Sequence, residues 1–185
     1  MSKRANSFQQ LKYLFFELQS TVNRKYWRWM TMWFGGSAGV ILSYRLDRFF
    51  YLLLGNVWGM LRIFFYPVFL TLRLLSSNHG IHYKADIGKG LRILHPSLGI
   101  VVSGRTVAGE NLILTGGNCL GGRKKMEEGD LMLGNNVFLG ANAVVLGPVK
   151  IGNNVSVGAG AVVVQDAEDH CVLVGVPARV LRKGE

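Results

Sequence analysis

The sequence predicts a mainly β fold, a parallel β-helix, with an amphipathic helical segment ahead of it. Two observations carry the prediction. Aliphatic residues recur at a period of six from Ile87 to Val163, and the Lys/Arg excess and most aromatic residues fall within residues 1–77. Length and composition fit one modest globular domain with an appendage. Cys119 and Cys171 form no CxxC spacing, so neither a zinc site nor a disulfide framework is expected.

The segment 1–77 is read as basic, aromatic, helical and membrane-associating. Residues 1–78 hold ten Lys/Arg and two acids, net +8, while residues 79–185 hold eleven and nine, net +2, which together give the chain's +10. Such asymmetry points the segment at an anionic partner. Its uncharged runs, 29–44, 49–61 and 63–72, span 16, 13 and 10 residues, short of the ~18–20 that a spanning helix needs. At 100° per residue, Arg45, Arg48, Arg62 and Arg73 share an arc of about 100°, with Phe49, Leu53, Phe64, Phe65 and Phe69 mostly elsewhere. That is the pattern of a helix lying in a membrane interface with its arginines among the headgroups. Pro67 is expected to kink or end it. No secretory signal peptide is expected, because the first apolar stretch, 13–18, is short and contains Glu17.

The second region, 78–185, is the repeat. Aliphatic residues stand at Ile87, Ile93, Val102, Ala108, Leu114 and Leu120, then again at Leu133, Leu139, Val145, Ile151, Val157 and Val163. A helix repeats its apolar face every three to four residues and a lone strand every two. A period of six implies short strands joined by tight corners, one side chain per hexad entering a stacked core, and three hexads per triangular turn. Asn135-Asn136 and Asn153-Asn154 suit the corners, since Asn tolerates positive φ. The charged stretch 123–130 is expected to project as a loop, and 165–185 to form a C-terminal tail.

The segments 87–104 (IGKGLRILHPSLGIVVSG), 119–122 (CLGG), 139–163 (LGANAVVLGPVKIGNNVSVGAGAVV) and 174–180 (VGVPARV) resemble those of the hexapeptide-repeat acyltransferases, in particular the serine-acetyltransferase-like branch. The resemblance implies a left-handed β-helix, usually trimeric, with acetyl-CoA as co-substrate in a groove between subunits. It makes His95 the general base, and the backbone N–H groups around Gly121 and Gly122 the donors to the oxyanion. It places Gly121, Ala141 and Ala159 along the coenzyme's arm and Arg179 near its phosphates.

Several positions depart from that branch. Serine acetyltransferases carry an Arg-His pair where this chain has Gly129 and Asp130. An acid there repels an amino-acid carboxylate but accepts hydrogen bonds from a sugar. His82 stands where the family has the acid that orients the histidine, and Asp86 is the nearest carboxylate. The segment between His95 and Gly99 is one residue longer than the pattern. Asp130 and His82 are therefore the candidate acceptor-binding residues. A short membrane-like N-terminus is similar to that of family members acetylating bacterial exopolysaccharides and capsules. The expected acceptor is a sugar hydroxyl of a surface polysaccharide or its lipid-linked precursor, on the cytoplasmic face of the cell membrane. The alternatives are a serine O-acetyltransferase and a non-catalytic β-helix scaffold. No metal is expected, since of His79, His82, His95 and His170 only His95 lies in the coil body. No nucleic-acid partner is expected, because no recognised binding module is present.

Overall fold

The computed structural model describes residues 6–22, 36–76, 79–127 and 129–183. Three helices, α1 (Ser7–Val22), α2 (Ser37–Leu54) and α3 (Val57–Ser76), lead into a parallel β-solenoid of four coils and a partial fifth. Its first face stacks β1 (His79–Ile81), β4 (Ile100–Val102), β7 (Asn118–Gly122), β10 (Val144–Gly147) and β13 (Val162–Val163). The second face stacks β2 (Asp86–Ile87), β5 (Thr106–Ala108), β8 (Leu131–Leu133) and β11 (Val149–Ile151). The third stacks β3 (Arg92–Ile93), β6 (Ile113–Leu114), β9 (Phe138–Leu139), β12 (Ser156–Val157) and β14 (Cys171–Val174), closed by antiparallel β15 (Arg179–Lys183).

All twelve aliphatic hexad positions are buried, none more than 6% exposed. The expectation of one inward side chain per hexad is corrected. Side chains alternate across a strand, so the residue two positions earlier also turns inward, and Leu91, Ile100, Leu112, Leu131, Val137, Val149 and Val155 fill a second column. Apolar area buried at roughly 25 cal/mol per Å² along both columns holds the coils together. The expected corners hold: Asn136 and Asn154 have φ of 56° and 55°. Asn111, Asn136 and Asn154 bond up the stack through their amides at 2.9 Å each.

A regular coil has eighteen residues, as in the pairings of Ile100 with Asn118 and of Leu131 with Val149. Two coils are longer. His79 pairs with Ile100, an offset of 21, which places three extra residues between Ile93 and Ile100. Thr106 pairs with Leu131, an offset of 25, which places seven extra at the 123–130 loop.

The helices correct the N-terminal reading. Residues 45–73 do not form one helix, because Gly55, at φ 59°, ends α2 and α3 starts two residues later. Pro67 does not end α3, which runs on to Ser76. Arg45 and Arg48 do not face headgroups; both are buried against the first coil. Arg45 donates to the carbonyls of Ile87 and Gly88 at 2.8 and 2.6 Å and pairs with buried Glu17 at 2.6 Å. Glu17 in turn accepts the N–H groups of Gly90 and Leu91, and the Tyr44 hydroxyl donates to the Ala85 carbonyl and accepts from the Ile87 N–H. These are the backbone groups along the open end of the solenoid, where an unpaired strand edge templates aggregation. Arg62 pairs with Asp47 at 2.8 Å; the side chains of Phe69 and Arg73 lie outside the described residues.

α1 is consequently inside out. Its buried residues are Ser7, Gln10, Leu14 and Glu17, while Phe8, Leu11, Phe15 and Phe16 face outward. Val57, Met60, Ile63 and Phe64 of α3 are exposed too, Phe64 by 82%. Ring contacts from Phe8 through Phe49, Phe50 and Trp58 to Phe65 link the three helices. Among the described residues no helix is long and apolar enough to cross a membrane.

Candidate active site

The three extra residues of the first coil fall at the corner between the third and first faces, and His95 sits in them. Its N–H donates to the Thr115 carbonyl at 2.7 Å, and the 3-10 turn Pro96–Leu98 follows. Gly116, at φ 138°, passes directly against the His95 carbonyl, where any Cβ would collide with that oxygen. The stacked backbone and the expanded corner together push the imidazole outward. His95 is exposed, flanked by exposed Leu94 and Leu98, and its ring has no hydrogen-bond partner among the described residues.

Above it the corner is stacked from small residues. The Thr115 N–H donates to Leu139, Gly140 to Val157 and Gly158 to Leu173, so His95, Gly116, Ala141 and Ala159 occupy one column in successive coils. A Cβ on Gly140 would lie 2.6 Å from the Ala159 nitrogen. Three strand spacings separate His95 from Ala159, about 14 Å. Exposed Arg179 pairs with Val174 at the C-terminal end of the same corner. The structure thus brings His95, Ala141, Ala159 and Arg179 into line.

The other expected residues lie at the far edge of the first face, at the corner leading to the second. Gly121 and Gly122 pair with Leu146 and Gly147, and Met126 from the projecting loop covers Gly122. Asp130 closes that loop, one carboxylate oxygen accepting the Glu127 N–H at 2.7 Å. His82 stacks on this corner in the first coil, its ring 4.5 Å from that of Tyr83. Its Nδ1 accepts the Lys84 N–H at 3.1 Å, leaving the proton of the neutral ring on Nε2. Partial burial, then Arg62 and Lys84, hold its pKa below the usual histidine value. Asp86 is not the acid that orients His95: it is bound to Arg48 at 2.5 Å on the second face.

Residues 131–165 match the bacterial transferase hexapeptide family, six repeats. That stretch is similar to a hexapeptide transferase repeat. It covers the in-phase hexads from Leu133 onward, where coils are unbroken. Serine acetyltransferase from Neisseria gonorrhoeae is 29% identical over 95% of this chain and 66% of its own, with a TM-score of 0.73. The soybean serine acetyltransferase apoenzyme is 33% identical over 77% of this chain and 57% of its own, with a TM-score of 0.60. Serine acetyltransferase of Brucella abortus strain S19, in complex with coenzyme A, has a TM-score of 0.74 at 22% identity over 96% of this chain and 69% of its own; that likeness is one of fold. The chain thus spans about two thirds of the gonococcal enzyme and less of the soybean one. No curated protein sequence gives a significant match.

The repeat period made the column legible. Sequence reasoning missed Glu17, Arg45 and Tyr44 as the end cap, because their partners are backbone groups more than forty residues away from Arg45 and Tyr44.

Proposed function

We propose that this chain transfers the acetyl group of acetyl-CoA to a sugar hydroxyl of a bacterial surface polysaccharide or its precursor, with His95 as general base. The observation that carries the reading is His95 on an expanded corner, heading a column of small residues that an extended thioester arm can follow. The imidazole nitrogen takes the hydroxyl proton as that oxygen attacks the thioester carbonyl. The tetrahedral oxyanion collapses, the C–S bond breaks, and the coenzyme thiolate takes the proton back from the imidazolium. The acetyl ester and free coenzyme A leave. A positioned base supplies roughly 10²–10⁴ in rate. Ala141 and Ala159 leave room for the arm, and Arg179 receives the phosphates at the column's end.

Within one subunit Gly121, Gly122, Asp130 and His82 lie across the first face from His95. Two subunits side by side bring one corner of each together, which supports a homotrimer with the site in its crevices. The inside-out helices support attachment to an anionic membrane surface, at the cytoplasmic leaflet, through the outward rings of α1 and α3 rather than the arginines. L-serine is the second reading, favoured by the two serine acetyltransferases at 29% and 33% identity. Asp130 in place of a cation argues against it.

The test is thiol release from acetyl-CoA with L-serine, nucleotide sugars and lipid-linked oligosaccharides as acceptors. His95→Ala is expected to lower the rate at least about a hundredfold with the oligomer intact. Near-normal turnover in that variant overturns the assignment, and efficient turnover of L-serine reverses the choice of acceptor.

A further inference from the structure

A hollow of about 500 Å³ lies between α2 and the corner that joins the first and second faces. Arg48 and Tyr51 come to it from the helix, and His82, Lys84, Ser103 and Arg105 from the first two coils. Asp86 is the single acid in its wall and is already bound by Arg48. Lys84 and Arg105 are exposed and have no carboxylate partner among the described residues. Arg48 is held from behind: its side chain is 4% exposed, the Tyr83 and Lys84 carbonyls accept from its Nη1, and its Nε is buried with no partner. Lys84, whose Nζ lies 5.7 and 6.0 Å from the centres of the Tyr51 and Tyr83 rings, and Arg105 thus bring to the hollow two cations without a carboxylate, a charge suited to an acceptor-rich anion. Gly104 permits the close approach, since a Cβ there would lie 2.7 Å from the His82 Nδ1. The neutral His82 ring keeps its Nε2 proton as a further donor and adds no like charge to the wall.

We propose that this hollow is a phosphate site, built from Arg48, Lys84, Arg105 and His82, that holds the phosphate or pyrophosphate of an activated sugar acceptor. The proposal rests on the acetyl-transfer reading for the role of the ligand, but not for its binding. Neutral polysaccharide and L-serine lack the group that the site selects. The chemistry is common to a soluble sugar phosphate and a lipid-linked one.

The full-length protein is titrated calorimetrically with inorganic pyrophosphate, in the absence of acetyl-CoA. Saturable binding is expected, weakened at least tenfold in the double variant Lys84→Ala/Arg105→Ala, whose side chains are exposed and whose fold is checked by its melting temperature. No saturable binding at millimolar pyrophosphate, or equal binding by the variant, overturns the proposal. A second pair of titrations uses a hexose 1-phosphate and a polyprenyl phosphate in detergent micelles, each against the same variant. Tighter binding of one, lost in the variant, upholds the site and names the source. Phosphate binding without thiol release from acetyl-CoA leaves the site standing and removes the transferase reading. Thiol release without phosphate binding does the reverse.

Discussion

Glu17→Ala is the perturbation that most directly tests how the solenoid's first coil is closed. The carboxylate accepts from Arg45 Nε and Nη2 at 3.0 and 2.6 Å, and from the N–H groups of Gly90 and Leu91 at 3.0 and 2.9 Å. Glu17 and Arg45 are 1% and 0% exposed, so water cannot replace the lost partner without opening the cap. Removing one member of a buried pair costs about 3–5 kcal/mol, because the other charge stays buried and uncompensated. The two orphaned N–H groups belong to the same cluster, so their cost overlaps this figure rather than adding to it. For a chain of this size a loss of about 4 kcal/mol lowers the melting temperature by about 8–16 °C. Arg45→Ala should cost a similar amount, and the double variant clearly less than the sum. Urea titration gives the three energies, and amide exchange at Gly90 and Leu91 reports the site itself. A Glu17→Ala protein within about 1 kcal/mol of the parent, or single losses that simply add, refutes the account of the cap.

Two further outcomes follow from the same structure. Replacing Met60, Ile63 and Phe64 by Asp should abolish sedimentation with anionic vesicles while leaving thiol release from acetyl-CoA in detergent unchanged; retained vesicle binding refutes the outward face of α3 as the attachment surface. The depressed His82 pKa means that the unfolded chain binds its proton more readily than the folded one. That contribution to stability is therefore complete above the unfolded histidine value, near pH 6.5, and is lost as pH falls below it. His82→Gln should flatten the dependence of the urea midpoint on pH between about 7.5 and 5; an unchanged slope places the dependence elsewhere.

The solenoid was legible because its determinant is local and periodic. Each hexad residue, from Ile87 to Val163, repeats one instruction at the same place in every coil, and all twelve are in the core. Asn136 and Asn154 were legible at the corners for the same reason. The helices were not, because a wheel plot assigns arginines to water by default, and nothing in the sequence near Arg45 shows that its partners are Ile87 and Gly88. The apolar face of α1 misleads in the same way: it points outward because the polar stripe Gln10–Glu17 has the end of a β-sheet to satisfy. Deleting residues 1–77 is consequently no clean test of membrane attachment, since it strips the first coil of its hydrogen-bond partners as well.

The candidate site was legible in part, and the coil lengths explain which part. In an eighteen-residue coil each side chain is either packed inside or stacked on the equivalent residue above and below it. Asn135 on Asn153 and Ala141 near Ala159 show how little freedom such a position keeps. A base that must leave the stack to reach a hydroxyl needs chain that the stack does not consume. The three residues added around His95 supply it, and the seven added at 123–130 supply the loop that ends in Asp130. Both interruptions of the repeat therefore fall where the sequence, by resemblance, places chemistry, and they open on different corners of the prism. If the proposed residues form the site, a single chain carries only part of it at each corner. On the proposed reading a second copy beside the first completes the site, and dilution to monomer should end turnover while the fold persists.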